Sequence, residues 1–189
     1  MTGDRIKKTR IPLDDSPIAL PGLAVYLIST ISRSGVRNIA PYGMVMLASY
    51  KPLMFTVGSD KDRDTYRNIL ETKEFVLNVP DTKMVEKVNI AGAKLAPDID
   101  EFEKADLTPI DAFNIKPPLI AECKVHFECR LIEIYEITTS RVIILAEAIG
   151  ISVDKDINLK NPAQQKGKMD PLYYIRGAYF GLGRYVGKR

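Results

Sequence analysis

The residues best suited to chemistry in this 189-residue chain lie between Asn38 and Thr65. Asn38-Ile39-Ala40-Pro41-Tyr42-Gly43 is an irregular segment that offers backbone polar groups, because its proline lacks an N–H and its glycine lacks a side chain. Two apolar runs follow, Met44–Leu47 and Leu53–Val57, and Gly58-Ser59 then leads into the charged helix start Asp62-Arg63-Asp64-Thr65. A helix N-terminus carries free N–H donors and the positive end of a dipole. Arg63 can grip a phosphate with a bidentate fork, and Thr65 adds a hydroxyl. Together the segment and the helix start suit a flat heterocycle that carries a phosphate. Asp60, Asp62 and Asp64 interleave with Lys61, Arg63 and Arg67, which leaves no net local charge. The aspartates are therefore expected to point away, capping the helix or pairing with the cations.

Other chemistries find little support. Cys123 and Cys129 are the only cysteines and fall on one expected strand. At about 3.3 Å per residue they stand roughly 20 Å apart, too far for a bond within that strand. Reduced, buried thiols are expected, as in a cytoplasmic protein. The single histidine, His126, runs out of phase with Val125, Phe127, Cys129 and Leu131, so a half-exposed strand position is expected for it. No Ser/His/Asp set and no metal cluster are evident, so no side-chain catalyst is expected and any catalysis would be borne by a cofactor. Asp60-x-Asp62-x-Asp64 with Glu71 imitates a calcium loop, but Thr65 stands where that loop needs a left-handed glycine. Gly181-Leu-Gly183-Arg-Tyr-Val-Gly187 imitates a dinucleotide fingerprint, but its spacing is one residue too long and no helix follows.

The elements that position these residues read mostly as strands. Leu23–Ser32 is β-branched and aliphatic, and Arg33-Ser34-Gly35 turns it into a second strand near Val36–Ile39. Met44–Tyr50 and Leu53–Val57 form a hairpin across Lys51-Pro52. Asp64–Thr72 has Tyr66, Ile69 and Leu70 at helical spacing, and Phe75–Val79 is a strand stopped by Pro80. Asp81–Ala96 repeats the helical pattern with Met84, Val85, Val88 and Ala91, with Asp81 or Thr82 as N-cap. Pro97–Asn114 is acidic and reads as a short helix plus loop. Glu122–Ile137 and Arg141–Val153 make a long second hairpin. Asp154–Pro171 has the length of a lid or partner-crossing arm, and the tail from Leu172 to Val186 carries tyrosines 173, 174, 179 and 185. Six or more short antiparallel strands with helices confined to insertions indicate a small β-barrel, hence a mainly β fold. We expect one domain over residues 1–189, with a core of about 20–183 and an N-terminal arm of 1–19. Net charge of +3 from scattered basic residues argues against a nucleic-acid surface. The apolar runs fall short of a membrane span, and the N-terminus does not read as a signal peptide, so a cytoplasmic location is expected.

The run NIAPYG…AS…P…TVGS…RDTYRNILETKEFVLNV resembles the flavin reductase-like family, which includes flavoredoxin-like proteins. The resemblance spans about Leu20 to Gly183. It implies a six-stranded antiparallel Greek-key split barrel of the FMN-binding type. It further implies that Asn38, Ala40, Pro41, Tyr42 and Gly43 lie along the isoalloxazine, with Ser49 on the following hairpin. Ser59, Arg63, Asp64 and Thr65 would hold the phosphate. The family's usual run is Asn-x-Ala-Pro-Phe-Ser, so Gly43 can offer only its backbone where relatives have a hydroxyl. Lys94 and Arg141 are placed near the flavin by the same resemblance, with solvated and turn roles as the respective alternatives. Tyr173 and Tyr174 could stack near the flavin, in their own or the neighbouring subunit, with core or interface packing as the alternative.

FMN is the expected cofactor, with NAD(P)H as a possible electron donor. The leading expectation is an oxidoreductase that moves a hydride through bound FMN to flavin or another acceptor. The alternative is an FMN-containing electron-transfer protein without a nicotinamide site, served by a partner protein. A pyridoxamine-phosphate-oxidase-like barrel or a flavin-storage module is a third reading. A homodimer is expected, since a barrel this small has little depth for a tricyclic ring and its long strands are apolar on both sides in places.

Overall fold

The computed structural model describes residues 9–96, 98–157 and 168–183. Most of the expected lid, Tyr185 and the first eight residues of the expected arm lie outside the described residues. The strands are β1 (Leu23–Ala24), β2 (Tyr26–Ile31), β3 (Arg37–Tyr42), β4 (Val45–Tyr50) and β5 (Leu53–Asp60). Helix α1 (Asp64–Thr72) and β6 (Glu74–Asn78) follow, then α2 (Val85–Ala91), α3 (Glu101–Lys104), β7 (Pro109–Ile110) and β8 (Leu119–Ile120). The long hairpin is β9 (Val125–Glu136) with β10 (Arg141–Val153), and β11 (Tyr173–Ile175) and β12 (Ala178–Phe180) end the described chain.

Seven strands form one antiparallel sheet in the order β3-β2-β6-β9-β10-β5-β4. The fold is mainly β with helical insertions, of the split-barrel type, and the main sheet carries one strand more than the six expected. Ile28, Tyr42, Phe55, Val57, Phe75, Leu77, Cys129 and Ile144 share one buried cluster. Strands from both ends of the sheet thus contribute to a single interior, which requires the sheet to curl on itself. A second core lies on the outer face of β2 and β3, where Leu27 and Ile39 pack against Met84, Val88, Ala91 and Phe102 from the helical insertion. That double covering explains why β2 reads as a continuous apolar run. Alternate residues face opposite sides of a strand, and here both sides are dry.

Two local devices set the site. Gly35, at φ 89°, turns β2 into β3. Lys73, at φ 65°, ends α1 in a left-handed C-cap with its N–H on the Ile69 carbonyl, so β6 begins one residue later. The expected helix over Asp81–Ala96 is shorter than its pattern: a 3₁₀ turn at Thr82–Met84 precedes α2, and Asp81 caps it by accepting from the Lys83 N–H.

His126 corrects the expectation of half-exposure. It is 5% exposed, because β8 and the insertion cover the outer face of β9 at this end. Its Nδ1 lies 2.9 Å from Asn78 Oδ1, which also accepts the Ile120 N–H. Burial lowers the imidazole below its usual 6.5, against upward pulls from Asp154 and Glu128. The unfolded chain therefore gains a proton as pH falls through 6.5 while the native ring stays neutral, so this group removes stability below that pH. Denaturant midpoints followed from about pH 7.5 to about pH 5 should decline more steeply in the wild type than in His126→Gln. Equal slopes would assign the acid sensitivity elsewhere. Both cysteines are buried and free, as expected, and burial raises both thiols, which keeps them unreactive.

Candidate functional site

The start of α1 meets the edge strand β3 at a buried polar junction. Asn38 Oδ1 accepts from Thr65 Oγ1 at 3.0 Å and from Thr30 Oγ1 at 3.2 Å, and Asn68 Nδ2 donates to Thr30 Oγ1 at 3.0 Å. Asn38 Nδ2 donates to Glu101 Oε2 at 2.5 Å. The Asn38 side chain is therefore largely consumed in joining β2, β3, α1 and α3. Next along the strand, the Tyr42 hydroxyl shares a 2.9 Å hydrogen bond with Ser59 Oγ. Burial raises the Tyr42 phenol, opposed by bonds with Ser59 and Thr65 and by the nearby Arg63 charge.

The charges at the helix start sort as their alternation suggested. Asp64 pairs with Arg67, Asp60 pairs with Arg141 at 3.3 Å, and Lys61 pairs with Glu136 at 2.6 Å. Arg63 is left as the one cation of this stretch without an ion pair among the described residues, and it is exposed. As N-cap residue it makes no side-chain cap bond, so the first amides of α1 have no side-chain acceptor from that position. A free guanidinium beside unmet helix N–H donors is an anion-binding arrangement.

On the outer face, a groove of about 430 Å³ runs between Pro41 on one bank, Gly92 and Ala93 at the end of α2, and Tyr174, Gly177 and Tyr179 of the β11–β12 hairpin. Tyr174 and Tyr179 meet edge-to-face with centroids 5.6 Å apart, which stiffens that wall. A side chain at Gly92 would stand 3.2 Å from Pro41 Cγ, so glycine is what lets α2 approach the strand. Lys94, exposed, follows Ala93 at the rim.

The structure thus gathers Asn38, Ala40, Pro41, Tyr42, Ser59, Arg63, Asp64 and Thr65 around β3 and the start of α1, with Gly43 at the strand end. Tyr174 lines the groove, and Lys94 is the residue after Ala93 of its wall. Arg141 reaches the same turn but is held by Asp60, its register partner. Ser49 stands apart from the phosphate end. It pairs with Met54, five positions before Ser59 on β5 and so roughly 16 Å away along the strand, and its Oγ accepts the Lys51 N–H at 3.3 Å.

Glu101 escaped the sequence reading. It is 7% exposed and its Oε2 accepts the Ile39 N–H at 2.5 Å as well as the Asn38 amide. Nothing in the acidic run Asp98–Glu103 distinguishes it from its solvated neighbours. Thr30, Asn68, Gly92 and Tyr179 were missed for the same reason, since their roles arise from contacts between distant segments.

The model of the flavin reductase like domain matches residues 22–183. The chain belongs to the flavin reductase-like family. Family membership places it among flavin-related oxidoreductases and implies a flavin cofactor. Among relatives of this family, an uncharacterized protein of Methanothermobacter thermautotrophicus is 38% identical over 173 residues, covering 88% of this chain and 80% of that protein. An uncharacterized protein of Aquifex aeolicus is 37% identical over 158 residues, covering 81% and 80%. Of solved family folds, nitrilotriacetate monooxygenase component B from Bacillus cereus superposes with a TM-score of 0.89 at 22% identity, covering 97% of this chain and all of that one (100%). Flavoredoxin of Desulfovibrio vulgaris (Miyazaki F) gives 0.82 at 22% identity over 89% and 91% of the two chains. At such identities these structures establish the split-barrel fold. Among the described residues no helix is long and apolar enough to cross a membrane, and no group of three metal-ligating side chains occurs.

Proposed function

We propose that this flavin reductase-like chain is an FMN-dependent oxidoreductase that takes electrons from NAD(P)H and reduces flavin or another small acceptor. The observation that carries the reading is Arg63, without an ion pair among the described residues, at a helix start with no N-cap side-chain bond and beside the β3 edge that leads to the groove. The donor set fits FMN. Arg63 and the first amides of α1 would hold the phosphate, while Thr65, whose hydroxyl hydrogen goes to Asn38 Oδ1, would brace the helix start behind them, and Ser59 would stand near it. Residues two apart share one edge of an antiparallel strand, so the Pro41 carbonyl faces the same side as the Ile39 N–H, beyond the point where Glu101 closes that edge. A flavin ring lying along that edge would meet backbone acceptors there, with Pro41 and Tyr174 offering flat apolar surface.

Bound FMN supplies hydride and electron transfer, so the protein needs only to bind, orient and tune it. Tyr42, held protonated by burial, supplies a hydroxyl at the strand and no acid–base step. Lys94 at the rim places positive charge beside the groove that would receive an anionic dinucleotide. Anaerobic stopped-flow mixing with NADH or NADPH should bleach the flavin bands of FMN-loaded protein. A protein that binds FMN yet stays yellow with both donors would instead be an electron carrier fed by another protein.

The same reading includes a homodimer. The outer face of β4, β5, β10 and β9 aligns Met44 and Met46 with Ile143, Leu145 and Tyr135, and Met46 and Tyr135 are 65% and 51% exposed. An apolar sheet face of this kind suits a second copy. Met46→Lys is expected to shift sedimentation from twice the chain mass to the chain mass and to weaken FMN binding at least tenfold. A wild type that sediments as a monomer while holding FMN would refute the dimer.

A further inference from the structure

The free edge of β3 poses a problem that the fold solves with a side chain. An edge strand leaves every second N–H without a partner strand, and Ile39 is such a residue, opposite Ser29 of β2 but open on its other side. Its N–H is met by Glu101 Oε2, which also takes the Asn38 amide hydrogen, both at 2.5 Å. Glu101 comes from a four-residue helix whose Asp100 caps it by accepting the Phe102 N–H at 2.9 Å. Phe102, fully buried beneath it, fixes the helix against the insertion core. The carboxyl is thus delivered to the strand by rigid packing. It also borders a second cavity, of about 220 Å³, together with Asn38, Asp64, Arg67, Asn68 and Glu71, so water can reach it.

We propose that Glu101 is the positioning residue of the flavin site. One carboxylate oxygen holds the Asn38–Ile39 peptide and, through Asn38, sets the Thr65 hydroxyl at the start of α1; its charge tunes how tightly the phosphate end is held. This rests on the FMN reading above. The chain Glu101 Oε2, Asn38 Nδ2, Asn38 Oδ1, Thr65 Oγ1 links the ring-bearing strand to the phosphate-bearing helix through two hydrogen bonds, of 2.5 and 3.0 Å.

Burial raises the Glu101 carboxyl to about 7, opposed by the Ile39 N–H and reinforced by Asp64 and Asp100. Of the facing cations, Arg67 is engaged by Asp64, and Arg37 by Asp100 at 2.5 Å with Glu103 at 3.7 Å. Glu71 on α1 adds a further carboxylate to the cavity wall. Ionised Glu101 therefore has no ion-pair partner among the described residues, and its negative charge lies two hydrogen bonds from Thr65 at the start of the helix expected to bear the phosphate. Both bonds fall on Oε2, so a proton on Oε1 removes the charge and keeps the clamp.

Glu101→Gln and Glu101→Ala separate the two roles. Flavin fluorescence titrations with FMN and with riboflavin at about pH 6 and about pH 8 provide the affinities, and the titration of the phosphate itself cancels between variants. Glu101→Gln should match wild-type FMN affinity at the lower pH and bind at least threefold more tightly at the higher one, with riboflavin unaffected by pH in either protein. Glu101→Ala should weaken both ligands by roughly tenfold or more, because the strand edge loses its acceptor. A ligand-free readout stands beside these. Amide exchange at Ile39 should remain slow in the glutamine variant and accelerate in the alanine variant. Protected Ile39 in Glu101→Ala would overturn the clamp. Identical pH profiles in wild type and Glu101→Gln would overturn the charge effect. A wild type that binds neither flavin, with Ile39 behaving as expected, would instead remove the FMN reading alone.

Discussion

Arg63→Ala weakens FMN binding about 50-fold and leaves riboflavin binding within about twofold of wild type, the result expected if this side chain meets the phosphate. A hydrogen bond to a charged group contributes about 1.5–3 kcal/mol, and a bidentate guanidinium sits at the upper end of that range. Its neighbours cannot substitute, because Lys61, Arg67 and Arg141 are each held by a carboxylate. Arg63→Lys should recover only part of the loss, since an ammonium keeps the charge and loses the fork. Equal losses for FMN and riboflavin would mean that the substitution had disturbed the ring site. No loss for either would move the phosphate away from α1. Parallel titrations of the three proteins read all these outcomes directly.

Glu128→Ala lowers stability by about 3–5 kcal/mol. Glu128 is 1% exposed in the middle of β9 and accepts three donors: the Phe113 N–H at 3.2 Å, the Asn114 N–H at 2.7 Å and the Asn114 side-chain amide at 3.2 Å. Truncation removes a buried carboxylate that gathers three part-buried donors, and the loop they belong to loses its anchor on β9. The segment they anchor carries Ile115 and Leu119, which close a third small core over Val76. At about 2–4 °C per kcal/mol for a chain of this size, thermal unfolding should shift by roughly 10 °C. Gly150→Ala should produce a related loss, because an added Cβ would stand 2.7 Å from Asn114 Nδ2 and 3.2 Å from Glu128 Cδ. Flavin affinity of Glu128→Ala, measured well below its unfolding temperature, should stay near wild type. A large affinity change with unaltered stability would make this carboxylate part of the site instead of a brace for the loop.

Glu128 also illustrates where pattern reading stops. In sequence, His126, Glu128 and Arg130 are the polar partners of an amphipathic strand, and alternation sends all three to solvent. Arg130 does stay partly exposed, where it pairs with Glu74 at 3.5 Å. His126 and Glu128 are buried, because β8, the insertion and the 111–117 segment cover that half of β9. Periodicity records which residues share a face, and it cannot record whether a remote segment later covers that face. Leu70 shows the converse: it fits the apolar spacing of α1 yet is exposed, while Ile69 is fully buried.

From its residues alone the chain determined the strand-rich class, the hairpins, the helix starting at Asp64 and the pairing of Asp64 with Arg67 in its first turn. All of these rest on interactions between residues close in sequence or directly opposed across a turn, where spacing dictates contact. The curling of β3 toward β5 that joins Tyr42 to Ser59, the groove between Pro41 and Tyr174, and the carboxylate of Glu101 on the Ile39 N–H were decided only in three dimensions. Each brings together segments separated by long stretches of chain, and a buried donor is met by whichever acceptor the packing delivers. For Ile39 that acceptor lies 62 residues away.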